Sequence, residues 1–379
     1  MSKPIKGINL LPVSVSKDEA IKILELTSKV TALLATLKTS FSASGVSAHI
    51  INIFSLQESV ESTRIEGTRV TFIEMLQEKI PTQPNADERE VLNYHKTLRK
   101  WSEVIVAGSP IATNLIKNIH ADLMQNARGS NKDAGNFRSI QNFIGKSNKI
   151  EEADYIPIPA NEIDKYMSNL EHFINCTPHA SFDEIKHEPD NHIFDIHANP
   201  IIKTAIMHAQ FESIHPFLDG NGRLGRILII LDMIRSGILD GPYFFVSKEL
   251  ESERALYYNL LNGIRGKNPD WASWILFFLN GCIRMADELL RKLEQIDVLS
   301  NKGINICENS YEYAVWKTTF EHPVVTVSEV WARLPFKSDR TVRKYLNSLV
   351  EKELLFTDKT TKRNKEYYNY ELMRILRSG

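Results

Sequence analysis

The sequence predicts a mainly α-helical protein, on three observations. Apolar residues recur at helical spacing over 19–37 and 48–66, a long helical stretch runs over 271–299, and the β-prone pieces are short and scattered. In the second of these helices, apolar residues at 51, 54 and 56, then Val60 and Ile65, mark the buried side, and Gly67 ends it as a C-cap. Pro81, Thr82, Gln83 and Pro84 break the chain before another helix. Residues 133–138 lead into 139–145, which with 154–160 makes two β-prone stretches around a polar turn and predicts a hairpin, with Pro157 and Pro159 confined to an edge. A further helix covers 251–260, and residues 300–303 read as a linker. The expected division is an N-terminal helical segment, 1–95, a central core, 96–299, and a C-terminal domain, 300–379.

Composition narrows the function. The chain has 379 residues, 42% of them hydrophobic, which suits two or three packed domains. A net charge of −1 gives no global attraction to nucleic acid or membrane. Cys176, Cys282 and Cys307 are odd in number and widely spaced, which argues against a disulfide framework or a zinc site. His187, His192 and His197 stand five apart, a spacing that does not stack them on one helix face for metal binding. The N-terminal residues lack the apolar core of a signal peptide and no run of about 18 apolar residues follows, so a soluble, cytoplasmic protein is expected.

The most informative segment runs His215, Pro216, Phe217, Leu218, Asp219, Gly220, Asn221, Gly222, Arg223, Leu224, Gly225, Arg226, directly ahead of an apolar run. Gly220 and Gly222 allow successive backbone N–H groups to converge on an anion at a helix start, where the helix dipole adds partial positive charge. Arg223 and Arg226, three apart on the first turn, can address one phosphate chain. Asp219 would repel that chain unless it holds a hard divalent cation bridging phosphate oxygens. His215, as a neutral imidazole, is placed to take a proton from an attacking hydroxyl. No G-x-x-x-x-G-K-[ST] run or strand-linked G-x-G-x-x-G unit is present.

These twelve residues resemble the signature of Fic-domain proteins, H-x-F-x-[DE]-G-N-G-R-x-x-R, at every defining position. The resemblance implies a Fic-type helical bundle that transfers AMP from ATP, with Mg²⁺, to a hydroxyl side chain of a target protein or of itself, releasing pyrophosphate. By position, His215 would be the base, Phe217 the loop's anchor in the core and Asp219 the Mg²⁺ ligand. Gly220, Asn221, Gly222 and Arg223 would hold the α and β phosphates and Arg226 the γ phosphate, with Leu224 and Gly225 completing the nucleotide-binding stretch. Tyr257 and Tyr258 fall where relatives place aromatics around the adenine and ribose. The hairpin is similar to the Fic flap, on which a target peptide adds as an extra strand.

Glu66 sits in the last turn of its helix, where a carboxylate opposes the dipole by ~0.3–1 kcal/mol, so a cationic partner is expected. Ser62, Glu66 and Gly67 resemble the Fic inhibitory motif, [ST]-x-x-x-E-[GN], whose glutamate pairs with the second signature arginine, here Arg226, and blocks the γ phosphate. The same glutamate could instead align water for AMP removal. Relatives of this regulated kind commonly form homodimers.

Residues 301–379 carry 14 Lys and Arg against 10 Asp and Glu, a net of +4. A β-prone piece at 324–327, a helix capped by Ser328, a second helix from Asp339 to about Glu353 and two strands around a basic turn resemble a winged helix-turn-helix. If it meets DNA, the contacts are Arg340, Thr341, Arg343 and Lys344 on the helix and Lys362, Arg363 and Lys365 on the wing. Protein docking is the alternative role of such a domain. Two function classes follow: an auto-inhibited protein adenylyltransferase, or a DNA-binding regulator whose core senses ATP. Within the first, another nucleotide donor stays open.

Overall fold

The computed structural model describes residues 4–77, 84–127, 133–145, 149–183, 188–358 and 365–378. Pro81, Thr82 and Gln83 of the breaker, His187, and Lys362 and Arg363 of the wing lie outside the described residues. The chain is mainly helical, with three small sheets among the described residues. It divides into two compact units: residues 1–35, 58–70 and 83–286, and residues 36–57, 71–82 and 287–379.

The first unit is built around two helices, Pro200–Ile214 and Asn221–Arg235, packed against each other. Helix Ala86–Val106 packs on the second of them and helix Ile163–Ile174 on the first. Every residue from 201 to 214 is buried, so the helix is enclosed on all sides and its hydrophobicity is not confined to one face. Asn199 caps its start and Pro200 takes the first position, where a missing N–H costs nothing. Helix Ala86–Val106 begins with a capping box between Asn85 and Glu88.

Of the expected hairpin, the described residues show one antiparallel pair, Ile144 with Tyr155, which exchange N–H···O bonds of 2.8 and 3.0 Å. Tyr155–Ile156 instead pairs in parallel with Ile5–Lys6, a partner that local sequence cannot announce. Two side chains add to this join: Gln141 donates to the Pro157 carbonyl, and Arg138 donates to the Ile158 carbonyl on the second arm as well as to Ile140 on its own.

In the second unit, the linker expected at 300–303 is helical. Helix Trp271–Ile306 continues through it, because Gly303 lets the buried Trp316 indole lie directly on the helix backbone where any Cβ would collide. Helix Ser310–Thr318 follows, capped by Asn309. Strand Val324–Thr326 leads into helix Val327–Arg333, which is capped by Thr326 in a capping box with Glu329 and not by Ser328. Helix Asp339–Glu351 is capped by Ser338. Strands Phe356–Thr357 and Glu366–Tyr368 complete an antiparallel sheet with Glu366–Tyr368 in the centre, and a final helix, Tyr370–Arg377, closes the chain.

Candidate active site

His215 terminates helix Pro200–Ile214 in the left-handed conformation, φ 50°, which costs a β-carbon-bearing residue about 1–2 kcal/mol. The strain is held by what surrounds it. The Arg138 Nε donates to the His215 carbonyl at 3.0 Å, and the Arg138 backbone N–H donates to the Pro216 carbonyl at 2.9 Å. The His215 Nδ1 faces the Glu212 carbonyl at 3.3 Å, an acceptor, so the proton belongs on Nδ1 and Nε2 carries the lone pair. Burial, with the positive charges of Arg265 and Arg138, pushes its pKa down to about 4, and the imidazole is neutral at pH 7.

The following loop is pinned from inside. Phe217 is fully buried and stacks on His120 with ring centroids 3.8 Å apart. Asn221 turns both ends of its amide onto the Phe217 backbone, each at 2.9 Å, so its side chain braces the loop. His120 bridges further: its Nδ1 accepts from the Gly135 N–H, which leaves Nε2 to donate to the Asp219 carbonyl at 2.9 Å. Gly220 (φ 78°) opens helix Asn221–Arg235, and a β-carbon there would press on Met124 and His120.

The helix start faces a cleft of about 290 Å³ lined by Glu66, Glu90, His215 and residues 218–223. Arg223 is buried and pairs with Glu90 at 3.0 Å, with Asp219 3.6 Å away. Arg226 lies beneath the cleft, 1% exposed. Its Nε donates to the Ser62 hydroxyl (2.7 Å), and its Nη2 donates to the Ser62 carbonyl (2.9 Å) and the Glu66 carboxylate (2.7 Å). Burial opposes Glu66's charge, but Arg226 outweighs it and holds the carboxyl below its usual range. Glu66 can come this close because Gly222 has no side chain; a β-carbon there would collide with the Glu66 carboxylate. Gly67, at φ 102°, ends the helix just beyond.

Other expected site residues lie elsewhere. Leu224 is buried, and Gly225 packs against Glu212 and His208. Tyr257 is buried with its hydroxyl 3.0 Å from His208 Nε2, while Tyr258 is partly exposed beneath the Arg254 guanidinium. Neither tyrosine lines the 290 Å³ cleft. Sequence reasoning missed Glu90, His120 and Arg138. Only Arg138 lay within a segment already singled out, and nothing local marks which carbonyls a buried arginine will reach.

Behind Arg226 lies a second layer of acid. Glu58, one helical turn before Ser62, is buried and accepts from Tyr94 (2.8 Å) and Ser247 (2.5 Å). Burial raises its pKa to about 7, as it does that of Glu212.

Two family models match this chain: "Fic/DOC family N-terminal" over residues 24–100 and "Fic/DOC family" over residues 110–231. A probable protein adenylyltransferase of Aquifex aeolicus is 32% identical over 108 residues, 26% of this chain and 33% of the relative. Protein adenylyltransferase Fic of Nematostella vectensis is 26% identical over 212 residues, 54% of this chain and 42% of the relative. The chain therefore spans well under half the length of these curated relatives. A Fic family protein from Desulfovibrio desulfuricans G20 shares the fold, with a TM-score of 0.54 at 18% identity, over 92% of this chain and 95% of that one. A Fic domain signalling protein from Bacteroides thetaiotaomicron superposes with a TM-score of 0.52 at 19% identity, over 71% of this chain and 97% of that one.

The raised pKa of Glu58 has a consequence for stability. Folding takes up a proton here between the ordinary carboxylate value of 4.5 and about 7, so the stability this site contributes falls as pH rises through that window. Glu58→Gln keeps an acceptor for Tyr94 and Ser247 without the titration. In denaturant unfolding it should match the parent near pH 5 and exceed it at pH 8, by at most roughly 3 kcal/mol. Parallel pH curves for the two proteins would rule this out.

Proposed function

The chain belongs to the Fic/DOC family over residues 24–100 and 110–231, and we propose that it is a protein adenylyltransferase, moving AMP from ATP to a hydroxyl side chain of a target protein. One observation carries the reading: a neutral His215 stands beside a helix start whose deepest arginine, Arg226, already holds a carboxylate where a phosphate would bind. The adenylyltransferase names of the relatives from Aquifex aeolicus and Nematostella vectensis support it.

In the proposed reaction, His215 Nε2 takes the proton of the target's Ser, Thr or Tyr hydroxyl. The hydroxyl oxygen bonds to the α phosphorus, and the bond from that phosphorus to the bridging oxygen breaks, with pyrophosphate leaving. Catalysis then rests on positioning and on neutralising phosphate charge. The backbone of residues 220–222 and Arg223 hold the inner phosphates and Arg226 the γ phosphate.

Mg²⁺ fits at Asp219. Its carboxylate is about one third exposed at the cleft, with one oxygen taking the Gly220 N–H at 2.7 Å. Among the described residues no group of three or more His, Cys, Asp or Glu could hold a metal alone, so phosphate oxygens and water would complete the shell, as Mg²⁺ prefers. Bound there, it would neutralise phosphate charge. On the flap, the backbone N–H groups of 139–143 have no partner among the described residues, which suits addition of a target strand.

The proposal includes restraint by the chain's own residues. Ser62 and Glu66 take the Nε and Nη2 donors of Arg226, and the Glu66 carboxylate stands where the γ phosphate would bind, so the resting enzyme is auto-inhibited. With α-labelled ATP and a cell lysate, Glu66→Gly should label protein at least about 10-fold faster than the parent, and His215→Ala in the same background should abolish label. Equal rates for Glu66→Gly and parent would remove the inhibitory role, and no label from either would remove the transferase reading.

For residues 300–379 we propose a winged helix-turn-helix that binds DNA, making the chain three-part, with 1–95 and 96–299. The support is the antiparallel sheet beside helix Asp339–Glu351, with Arg340, Arg343 and Lys344 exposed on that helix. Gel shifts on random-sequence DNA should show binding that weakens when these three residues are replaced by Ala. Shifts unaffected by that change, or none, would favour protein docking.

A further inference from the structure

Arg138 is 3% exposed, and its guanidinium donates to three backbone carbonyls and to no carboxylate among the described residues. Those carbonyls belong to three separate places: His215, which bears the base; Ile140, on the first arm of the flap; and Ile158, on the second arm. The distances are 3.0, 3.1 and 2.6 Å. Its own N–H holds Pro216, and two residues beyond Ile140 the Asn142 amide donates to the Phe217 carbonyl at 3.3 Å. Among the described residues the flap arms meet in one backbone pair, Ile144 with Tyr155, so this guanidinium is a further joint between them, and the same joint fixes the residue that ends helix Pro200–Ile214 in a strained conformation.

We propose that Arg138 is a positioning residue that couples the flap to His215, so that a target strand seated on the flap aligns the base through one guanidinium. The inference rests on the adenylyltransferase reading and deepens it. Each of the three carbonyls meets a different nitrogen of the planar fork, a spread that an ammonium, with its donors on one nitrogen at the end of a flexible stem, does not reproduce. Arg138 lines no part of the phosphate cleft, so nucleotide binding is separate from its role. It also faces His215 as a charge, together with Arg265 and, with opposite sign, Glu66.

The test uses the full chain in the Glu66→Gly background, with Mg-ATP affinity by calorimetry, lysate labelling from α-labelled ATP, and the pH profile of labelling. Arg138→Lys should keep ATP affinity within about twofold while slowing labelling about 10- to 100-fold, the scale of an ångström-sized misplacement. Its acid limb should stay with the parent's, because the charge remains. Arg138→Met should slow labelling similarly and move the acid limb to higher pH, because removing a neighbouring positive charge favours the protonated imidazole. Labelling at the parent's rate in both variants overturns the proposal. So does parallel loss of ATP affinity and rate, which would make Arg138 a folding residue alone. No label from Glu66→Gly itself would count against the adenylyltransferase reading, not against this coupling.

Discussion

The first unit depends on a guanidinium with almost no access to water. Arg226 sits at the centre of the packed helices, 1% exposed, with a desolvation cost of several kcal/mol unless an anion meets it. Glu66 supplies that anion and Ser62 accepts from Nε and Nη2, both at the end of helix Ser47–Ile65. Removing one partner of such a pair leaves a buried charge behind, so Arg226 calls for a replacement anion whenever Glu66 is absent. A phosphate has the charge and the acceptor geometry to take that place. In the proposed enzyme, inhibition and substrate binding are therefore two occupancies of one charge.

Precision around His215 is reached differently. The loop from 215 to 220 has few backbone bonds of its own, and buried side chains fix it: Phe217 against His120, Asn221 on the Phe217 backbone, His120 on the Asp219 carbonyl, and Arg138 on the His215 carbonyl. Together they draw on three separate stretches, the helix bearing His120, helix Asn221–Arg235 and the segment of Arg138, so the loop's shape is a property of the packed core. That is how a residue at φ 50° persists and how its imidazole stays neutral. Arg223 is likewise preset, because Glu90 holds it in place from helix Ala86–Val106.

Much of this was legible in the sequence where a contact is local or carries a signature. Helical spacing announced the helices, and Gly67 marked the end of the one that carries Glu66. A carboxylate in a last turn asked for a cation, and the structure provides Arg226, 160 positions away. What stayed hidden is set by partners distant in sequence. Tyr155–Ile156 could not reveal that its edge pairs with Ile5–Lys6, nor residues 300–303 that Trp316 would pack on Gly303 and keep the chain helical. Tyr257 has an aromatic's spacing whether it meets a nucleotide or, as found, His208. The roles of Glu90, His120 and Arg138 exist only once the elements are assembled.

In the proposed enzyme, Glu66 and the outermost phosphate compete for Arg226. Calorimetric affinities of Mg-ATP and Mg-ADP for the parent and for Glu66→Gly test it most directly, since only ATP carries the phosphate assigned to that arginine. The preference for ATP over ADP should rise on removing Glu66, by roughly 10-fold for a charge-assisted contact of about 1.4 kcal/mol or more. An equal change in both affinities, or none, would contradict it.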